Sequence, residues 1–381
     1  MKRTIGVKST NYNEKRNFAG LEIHDFKFKK VLDYYRVIDY VYFKIKGKPH
    51  SFWLNLFNNF GLGKADLYHF WNAVSVLNDP WLVTFEYYLP RGAREYGFDS
   101  FENKYIHFVM GRLAHSSCKK IIAISEFALN SQIRYIENYG KYKEEIISKI
   151  ELIRPPQKLH FERIDEKIYS DIEIKFVMVG SDFFRKGGLE LLKAFDSVSQ
   201  LYKKFKLVIV SKLDYGDYVS FSNKIDQLNA LEIINKNDQI QLFDSLPNSE
   251  VIDLFKSAHV GLLPSFEESY GYSVLEAQAC GCPVITTNGA ALSEINNDHC
   301  GWVVELPITD RKRTNPKSKE QKGIYADVLI KGLIATLTEI GENPGLIAIK
   351  GKLAHERIRK FHSEVDVSNR LNQIYSEALE L

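Results

Sequence analysis

The chain has 381 residues, 45% of them hydrophobic and 13% aromatic. That composition excludes a disordered chain and leaves room for two domains of ~150–200 residues, each with its own core. The net charge of +3 conceals an asymmetry: residues 1–150 hold 23 Lys+Arg and 15 Asp+Glu, while the remainder holds 28 and 33.

A basic first half fits an anionic partner, whether a membrane surface, a phosphate-bearing acceptor or nucleic acid; it also fits a solvated, lysine-rich face. The four cysteines, Cys118, Cys280, Cys282 and Cys300, are scattered, and Cys280-Gly-Cys282 is too short a spacing for a zinc pair. Cys280 is expected to pack as a small apolar residue. The first residues, MKRTIGVKSTNYNEKR, do not read as a signal peptide, and no apolar run approaches the ~20 residues of a membrane span. A reduced, cytoplasmic setting is expected, with any membrane contact peripheral.

Thr4 to Val7 reads as a short first strand. The stretch from Phe26 to Phe57, FKFKKVLDYYRVIDYVYFKIKGKPHSFWLNLF, mixes lysines with Phe and Tyr and reads as a helix followed by a strand around Tyr40–Ile45. Such a mixture suits a membrane interface, a nucleic acid or a buried face with snorkelling lysines. Asp66–Ala73 and Trp81–Tyr88 read as buried strands. Glu86 stands near the end of the second as a candidate acid or base, or as a carboxylate paired with Arg91 or Arg94. Cys118–Ser125 is another strand, and Ser125 is placed to cap the helix after it. A strand then runs into Pro155-Pro156.

The second half opens with DIEIKFVMVG, Asp171–Gly180, then Arg185-Lys186-Gly187-Gly188 and the helix LELLKAFDSV. Further strands follow at Phe205–Ser211 and Gln239–Phe243, and alternation of strands with helices predicts a doubly wound parallel sheet. Gly261–Ile295 reads GLLPSFEESYGYSVLEAQACGCPVITTNGAALSEI: a strand, an acidic loop, a short helix opening at Ser273 and stopped by Gly281, then a strand from Val284. Glu268 lies in the loop and Glu276 in the first helical turn. The amides of Ser269, Tyr270 and Gly271 point into the same region, where a helix start favours anions. Ser273-x-x-Glu276 also fits a capping box, in which Glu276 only returns to the helix start. Residues 307–323, charged and rich in breakers, read as a mobile loop.

The pattern formed by Pro264, Ser265, Glu268, Tyr270, Gly271, Leu275, Glu276, Ala277, Ala279, Cys280, Gly281, Pro283, Val284 and Ile285 resembles the donor-site signature of glycosyltransferase family 4, the group 1 glycosyltransferases. The resemblance implies an α/β, GT-B fold: two Rossmann-like domains with doubly wound parallel sheets facing across a cleft. It implies an acceptor-binding domain over residues 1–155, completed by a C-terminal helix at 365–381, and a donor-binding domain over 156–364.

The implied enzyme is a retaining, metal-independent glycosyltransferase using a UDP- or GDP-linked sugar as co-substrate, with no cofactor. Its acceptor would be a hydroxyl of a glycan or lipid-linked carrier in bacterial surface polysaccharide synthesis, with peripheral contact to anionic membrane and no nucleic acid. The implied roles put Glu268 on the donor sugar, Glu276 on the ribose, and Arg185, Lys186 and Gly187 at the pyrophosphate. Glu86 stands where the family ends its strand T-x-H. Three features depart from the family pattern: Glu86 stands in place of that His, Ser181 stands where a basic residue is usual, and residues 8–20 lack a glycine-rich loop. A non-catalytic sugar-nucleotide or glycan-binding protein is the competing expectation. An oxidoreductase would need Gly-x-Gly-x-x-Gly after a strand, which is missing.

Overall fold

The computed structural model describes residues 2–47, 55–91, 103–137, 139–169, 172–314 and 316–380. They divide into two units, Met1–Pro156 with His362–Leu381, and Gln157–Phe361.

In the first unit the strands are β1 (Arg3–Val7), β2 (Phe26–Lys30), β3 (Leu56–Phe57), β4 (Leu67–Trp71), β5 (Val74–Ser75), β6 (Trp81–Phe85), β7 (Cys118–Ala123) and β8 (Ile150–Leu152). Six of them form a parallel sheet in the order β2-β1-β4-β6-β7-β8, and β3 pairs with β5 apart from it. Every residue of β6 is buried, as expected for a parallel sheet covered on both faces. Ser125 caps the helix Glu126–Ile136 by accepting from the amide of Ala128.

The order of elements across residues 26–46 corrects the sequence reading. FKFKK is the strand β2, paired with β1 from Arg3↔Phe26 to Val7↔Lys30, and Tyr34–Lys46 is the helix. The reversal has local causes. In FKFKK the aromatic and lysine residues alternate, so Phe26 is buried while Lys27 and Lys29 face outward. Asp33 then accepts from the amide of Tyr35 as an N-cap, and Gly47 closes the helix at φ +70°. These caps outweigh the β-branched and aromatic content of the helix.

The last helix, Glu364–Ala378, packs on this sheet. Arg370 grips Glu151 with two bonds of 2.6 and 2.7 Å, and Tyr375 Oη lies 2.8 Å from Nδ1 of the buried His69. The other ring nitrogen lies 2.8 Å from Thr84 Oγ1, and Phe18 stacks on the imidazole at 3.8 Å. Burial holds the His69 pKa down to about 3. Burial pushes the Glu151 carboxyl upward, yet its bonds to Arg370 and Lys120 outweigh that and leave it below its ordinary value of 4.5. Both groups therefore bind more protons unfolded than folded, and stability must fall with acid. The His69 contribution fades as pH drops below the ordinary 6.5, and the Glu151 contribution below 4.5. Thermal unfolding followed from neutral pH downward is expected to show this unit losing stability already between those two values. A midpoint flat across that interval would contradict the role given to His69.

The second unit contains β9 (Ile174–Val179), β10 (Phe205–Val210), β11 (Ile240–Phe243), β12 (Val260–Leu263), β13 (Val284–Thr287) and β14 (Gly301–Val304). All pair in parallel, in the order β11-β10-β9-β12-β13-β14. Numbered from its own first strand this is 3-2-1-4-5-6, the doubly wound dinucleotide-fold order. The strand order reverses between β9 and β12, so the crevice for a ligand opens at their carboxyl ends. Phe176, Phe195 and Phe205 fill the core, and the long helix Lys319–Glu342 adds the row Leu329, Leu333, Leu337 and Ile340. All four cysteines are free and buried. Among the described residues no helix is long and apolar enough to cross a membrane.

Candidate functional site

Two loops meet at that reversal. The first runs from Gly180 to Gly188 after β9, and the second from Pro264 to Gly271 after β12. A backbone bond joins them: the amide of Phe266 donates to the carbonyl of Arg185 at 3.0 Å. Ser265 Oγ donates to the carbonyl of Glu267 at 2.8 Å, and Thr287 on β13 donates to the carbonyl of Ser265 at 2.6 Å.

Gly187 explains why the first loop needs a glycine. It starts the helix Gly188–Ser199 at φ +74°, and an added Cβ would lie 2.2 Å from the carbonyl oxygen of Pro264. Only glycine allows both the left-handed backbone and so close a crossing. Gly180 makes room in another way, because a Cβ there would meet the Lys186 side chain at 2.8 Å. The lysine stem lies against bare backbone, and its ammonium is aimed into the second loop.

The central pair is Lys186 Nζ and Glu268 Oε2, 2.8 Å apart, with Arg185 Nη1 3.9 Å from the same oxygen. Both members are largely buried, with side chains 11% and 14% exposed. Burial alone would raise the Glu268 carboxyl, but the charges of Lys186 and Arg185 and the amide of Ser269 outweigh it. The carboxylate is thus held below its usual range and stays ionised at neutral pH. Arg185 also donates to the carbonyl of Glu267 and pairs with Asp182 at 2.9 Å.

The helix after the acidic loop spans Tyr272–Ala279 and opens at Gly271, φ +100°, with no side-chain cap. It starts one residue earlier than the sequence suggests. Ser273 is therefore already inside the helix, and the Ser273–Glu276 capping box is not formed. Glu276 sits in the second turn, 5% exposed. The Tyr270 ring is buried at 1% exposure, so this residue can offer a ligand its backbone rather than its phenol. Ser269 is half-buried on the rim. Cys280 is fully buried at the helix end.

Glu86 belongs to the first unit. It pairs with Arg91 at 2.8 Å, accepts from Asn72 Nδ2 at 3.2 Å, and its amide donates to Asn72 Oδ1. Of the two arginines considered for it, Arg91 is the partner, and Arg94 lies outside the described residues.

The structure adds residues that the sequence reading missed. The stretch 307–323 is not a free loop throughout. Its last residues begin the helix Lys319–Glu342, capped by Ser318, and its middle lies on the acidic loop. Arg313 pairs with Glu267, and Thr314 Oγ1 donates to the carbonyl of Phe266. Lys322 pairs with the buried Glu190 at 2.5 Å and sits 4.0 Å above the Phe266 ring. No local pattern marks these residues, since Arg313 and Glu267 stand 46 positions apart. Arg313→Ala is expected to release the outer side of the acidic loop and lower turnover about tenfold, by misplacing Glu268 rather than removing it. Steady-state rates should show the loss mainly in kcat, and an unchanged kcat would make the 309–314 segment a mere cover.

A lysine, an arginine and an ionised carboxylate beside the turn before a helix can hold an anionic ligand that also carries hydroxyls. Among the described residues no three His, Cys, Asp or Glu side chains come together as a metal site.

The overall architecture is shared with known sugar transferases. The chain superposes on a glycosyltransferase from Rickettsia africae with a TM-score of 0.53 at 19% identity, covering 93% of this chain and 86% of that one. For WaaG, a glycosyltransferase involved in lipopolysaccharide biosynthesis, the values are 0.54, 16%, 91% and 86%. For HepE of Anabaena, solved with UDP and glucose, they are 0.57, 10%, 99% and 100%. These likenesses are of fold, and the fold is that of two Rossmann-like GT-B domains. A D-inositol 3-phosphate glycosyltransferase of Paenarthrobacter aurescens is 54% identical over 43 residues, 11% of this chain and 10% of that relative's length. Residues 161–311, which hold both loops of the site, match the family model for glycosyl transferases group 1.

Proposed function

We propose that this protein is a retaining glycosyltransferase of the group 1 type, moving a sugar from a UDP- or GDP-linked donor to a hydroxyl of a glycan or lipid-linked acceptor. The observation that carries the reading is the buried Lys186–Glu268 pair, 2.8 Å apart, at the point where the strand order reverses. Without donor, each charge neutralises the other. A nucleoside diphosphate would draw Lys186 and Arg185 onto its phosphates and free Glu268 for the sugar hydroxyls, with Glu276 on the ribose.

In the reaction the bond from the anomeric carbon to the diphosphate oxygen breaks, and its electron pair leaves with the diphosphate. Lys186, Arg185 and the amides of the acidic loop stabilise that growing charge. The acceptor oxygen bonds to the anomeric carbon on the same face, and its proton passes to the departing phosphate oxygen. Glu268 orients the sugar and steadies positive charge at the reacting carbon. The two cations and the amides supply what a divalent ion otherwise provides, so activity should persist in EDTA. Bacterial surface polysaccharide, assembled at the cytoplasmic face of the membrane, is the acceptor class we favour. The lipopolysaccharide role of WaaG and the basic, aromatic surface of the first unit support it.

The test is a mass-spectrometric screen of UDP- and GDP-sugars for transfer or slow donor hydrolysis, with hydrogen exchange measured in parallel. Protection by the diphosphate at residues 182–188 and 265–271, and turnover lost in Glu268→Ala, are expected. A diphosphate that leaves both loops unprotected overturns the proposal. Binding there without turnover of any sugar would favour the non-catalytic reading.

A further inference from the structure

Phe266 lies two residues before Glu268 and is wholly buried. Three different elements hold it. Its amide donates to the carbonyl of Arg185 at 3.0 Å, its carbonyl accepts from Thr314, and Lys322 Nζ sits 4.0 Å above its ring. Lys322 stands near the start of the helix Lys319–Glu342, and Glu190 in the first turn of the helix Gly188–Ser199.

The lysine is shared between them. Its ammonium lies 2.5 Å from Glu190 Oε1 and over the face of Phe266 at once, and the Lys322 and Glu190 side chains are only 12% and 5% exposed. Among the described residues the other carboxylate oxygen, Glu190 Oε2, is buried with no hydrogen-bond partner. Glu190 follows Gly187 by three residues, so the Glu190–Lys322–Phe266 chain of contacts joins the lysine-bearing loop to the glutamate loop a second time, beyond the crossing at Pro264.

Such a pair is a poor device for stability alone. Taking two charges out of water costs about as much as their attraction returns, and well-packed apolar residues would serve as well. What the ammonium adds is direction. It prefers the face of an aromatic ring to the edge, because the negative part of the ring quadrupole lies there. It thereby fixes the plane of Phe266, and the backbone leaving Phe266 carries the carboxylate that Lys186 meets. Lys322 does not pair with Glu268 itself, whose cations are Lys186 and Arg185. Its influence must pass through the ring.

We infer that Lys322, held by Glu190, is a positioning residue for the transfer: it sets the plane of Phe266 and, through it, the placing of Glu268 against Lys186. The effect on rate rests on the glycosyltransferase reading, whereas the placing of the loop is measured without any donor.

The experiment compares Lys322→Met, Lys322→Arg and the double variant Glu190→Gln/Lys322→Met. The readouts are melting, hydrogen exchange in the free protein, and steady-state hydrolysis of UDP-glucose and GDP-mannose. Lys322→Met should melt lower, since it strands the Glu190 carboxylate in the interior, and the double variant should melt near the wild type. Both should lose about tenfold in kcat with donor KM changed by less than about twofold, and both should exchange faster at residues 265–271. Lys322→Arg keeps a cation over the ring and should recover most of the rate. A double variant that regains kcat together with its melting temperature would make the pair a structural one and overturn the inference. Exchange at 265–271 that stays at the wild-type rate in both Met variants would overturn it as well. Wild-type hydrolysis of neither sugar would count against the glycosyltransferase reading and leave the exchange result to decide the placing.

Discussion

Glu268→Ala is expected to cut turnover about 10²–10³-fold, the usual scale for removing a group that acts on charge developing in the transition state. Nucleotide binding should be retained, because the substitution frees Lys186 from its 2.8 Å partner and leaves it to the phosphates. Lys186→Ala should behave in the opposite manner. It removes the cation proposed to face the leaving group and strips the buried carboxylate of its nearest opposite charge, so nucleoside diphosphate affinity and kcat should fall together. Titration calorimetry with UDP and GDP, alongside steady-state kinetics, separates the two patterns. Equal losses of nucleotide affinity in both variants would rule out the proposed exchange of partners. Since in the free protein Lys186 and Arg185 hold the Glu268 carboxyl below its ordinary value against its burial, its protonation should set no acid limb to kcat/KM near neutrality.

Gly187→Ala is expected to be the most damaging single-methyl change in the second unit. The new Cβ would lie 2.2 Å from a backbone oxygen of Pro264 and 3.1 Å from Leu329, at a backbone angle of +74°. Neither the Pro264 carbonyl nor the helix carrying Leu329 can yield cheaply, because Pro264 is buried between Leu262 and Phe266, which belong with Leu329 to one packed core. Strain and overpacking together cost about 2–4 kcal/mol, and for a unit of this size the melting temperature should fall by roughly 5–10 °C. Donor turnover should fall further than stability alone explains, since the crossing of Gly187 under Pro264 sets how the lysine loop meets the glutamate loop. A variant that melts with the wild type would show that the two loops are not held by this contact.

Much of the fold is legible in the chain. Strands and helices alternate through the second half, and the largely apolar runs at Trp81–Phe85 and Val260–Leu263 fit the inside of a covered parallel sheet. The loop from Pro264 to Gly271 announces itself because a strand end, a glycine and a helix start must follow one another at fixed spacing for backbone amides to face an anion. Where local signals conflict, the reading fails. In residues 26–46 the alternation of FKFKK and the caps at Asp33 and Gly47 decide the structure, against a composition that favours the reverse order. Ser273 looks like a cap, yet Gly271 opens the helix because its left-handed conformation turns the chain earlier.

By itself, then, the sequence determined the alternation that builds the second parallel sheet, most strands of the first, and the acidic and lysine-bearing loops, because all depend on residues close together along the chain. Only the tertiary structure decided that Lys186 pairs with Glu268, that Arg313, Thr314 and Lys322 brace the acidic loop, and that the last helix is tied to the first sheet through Glu151 and His69. The reason is physical: each of those contacts joins residues far apart in the chain, and their geometry follows from strand order and burial, which no local spacing encodes.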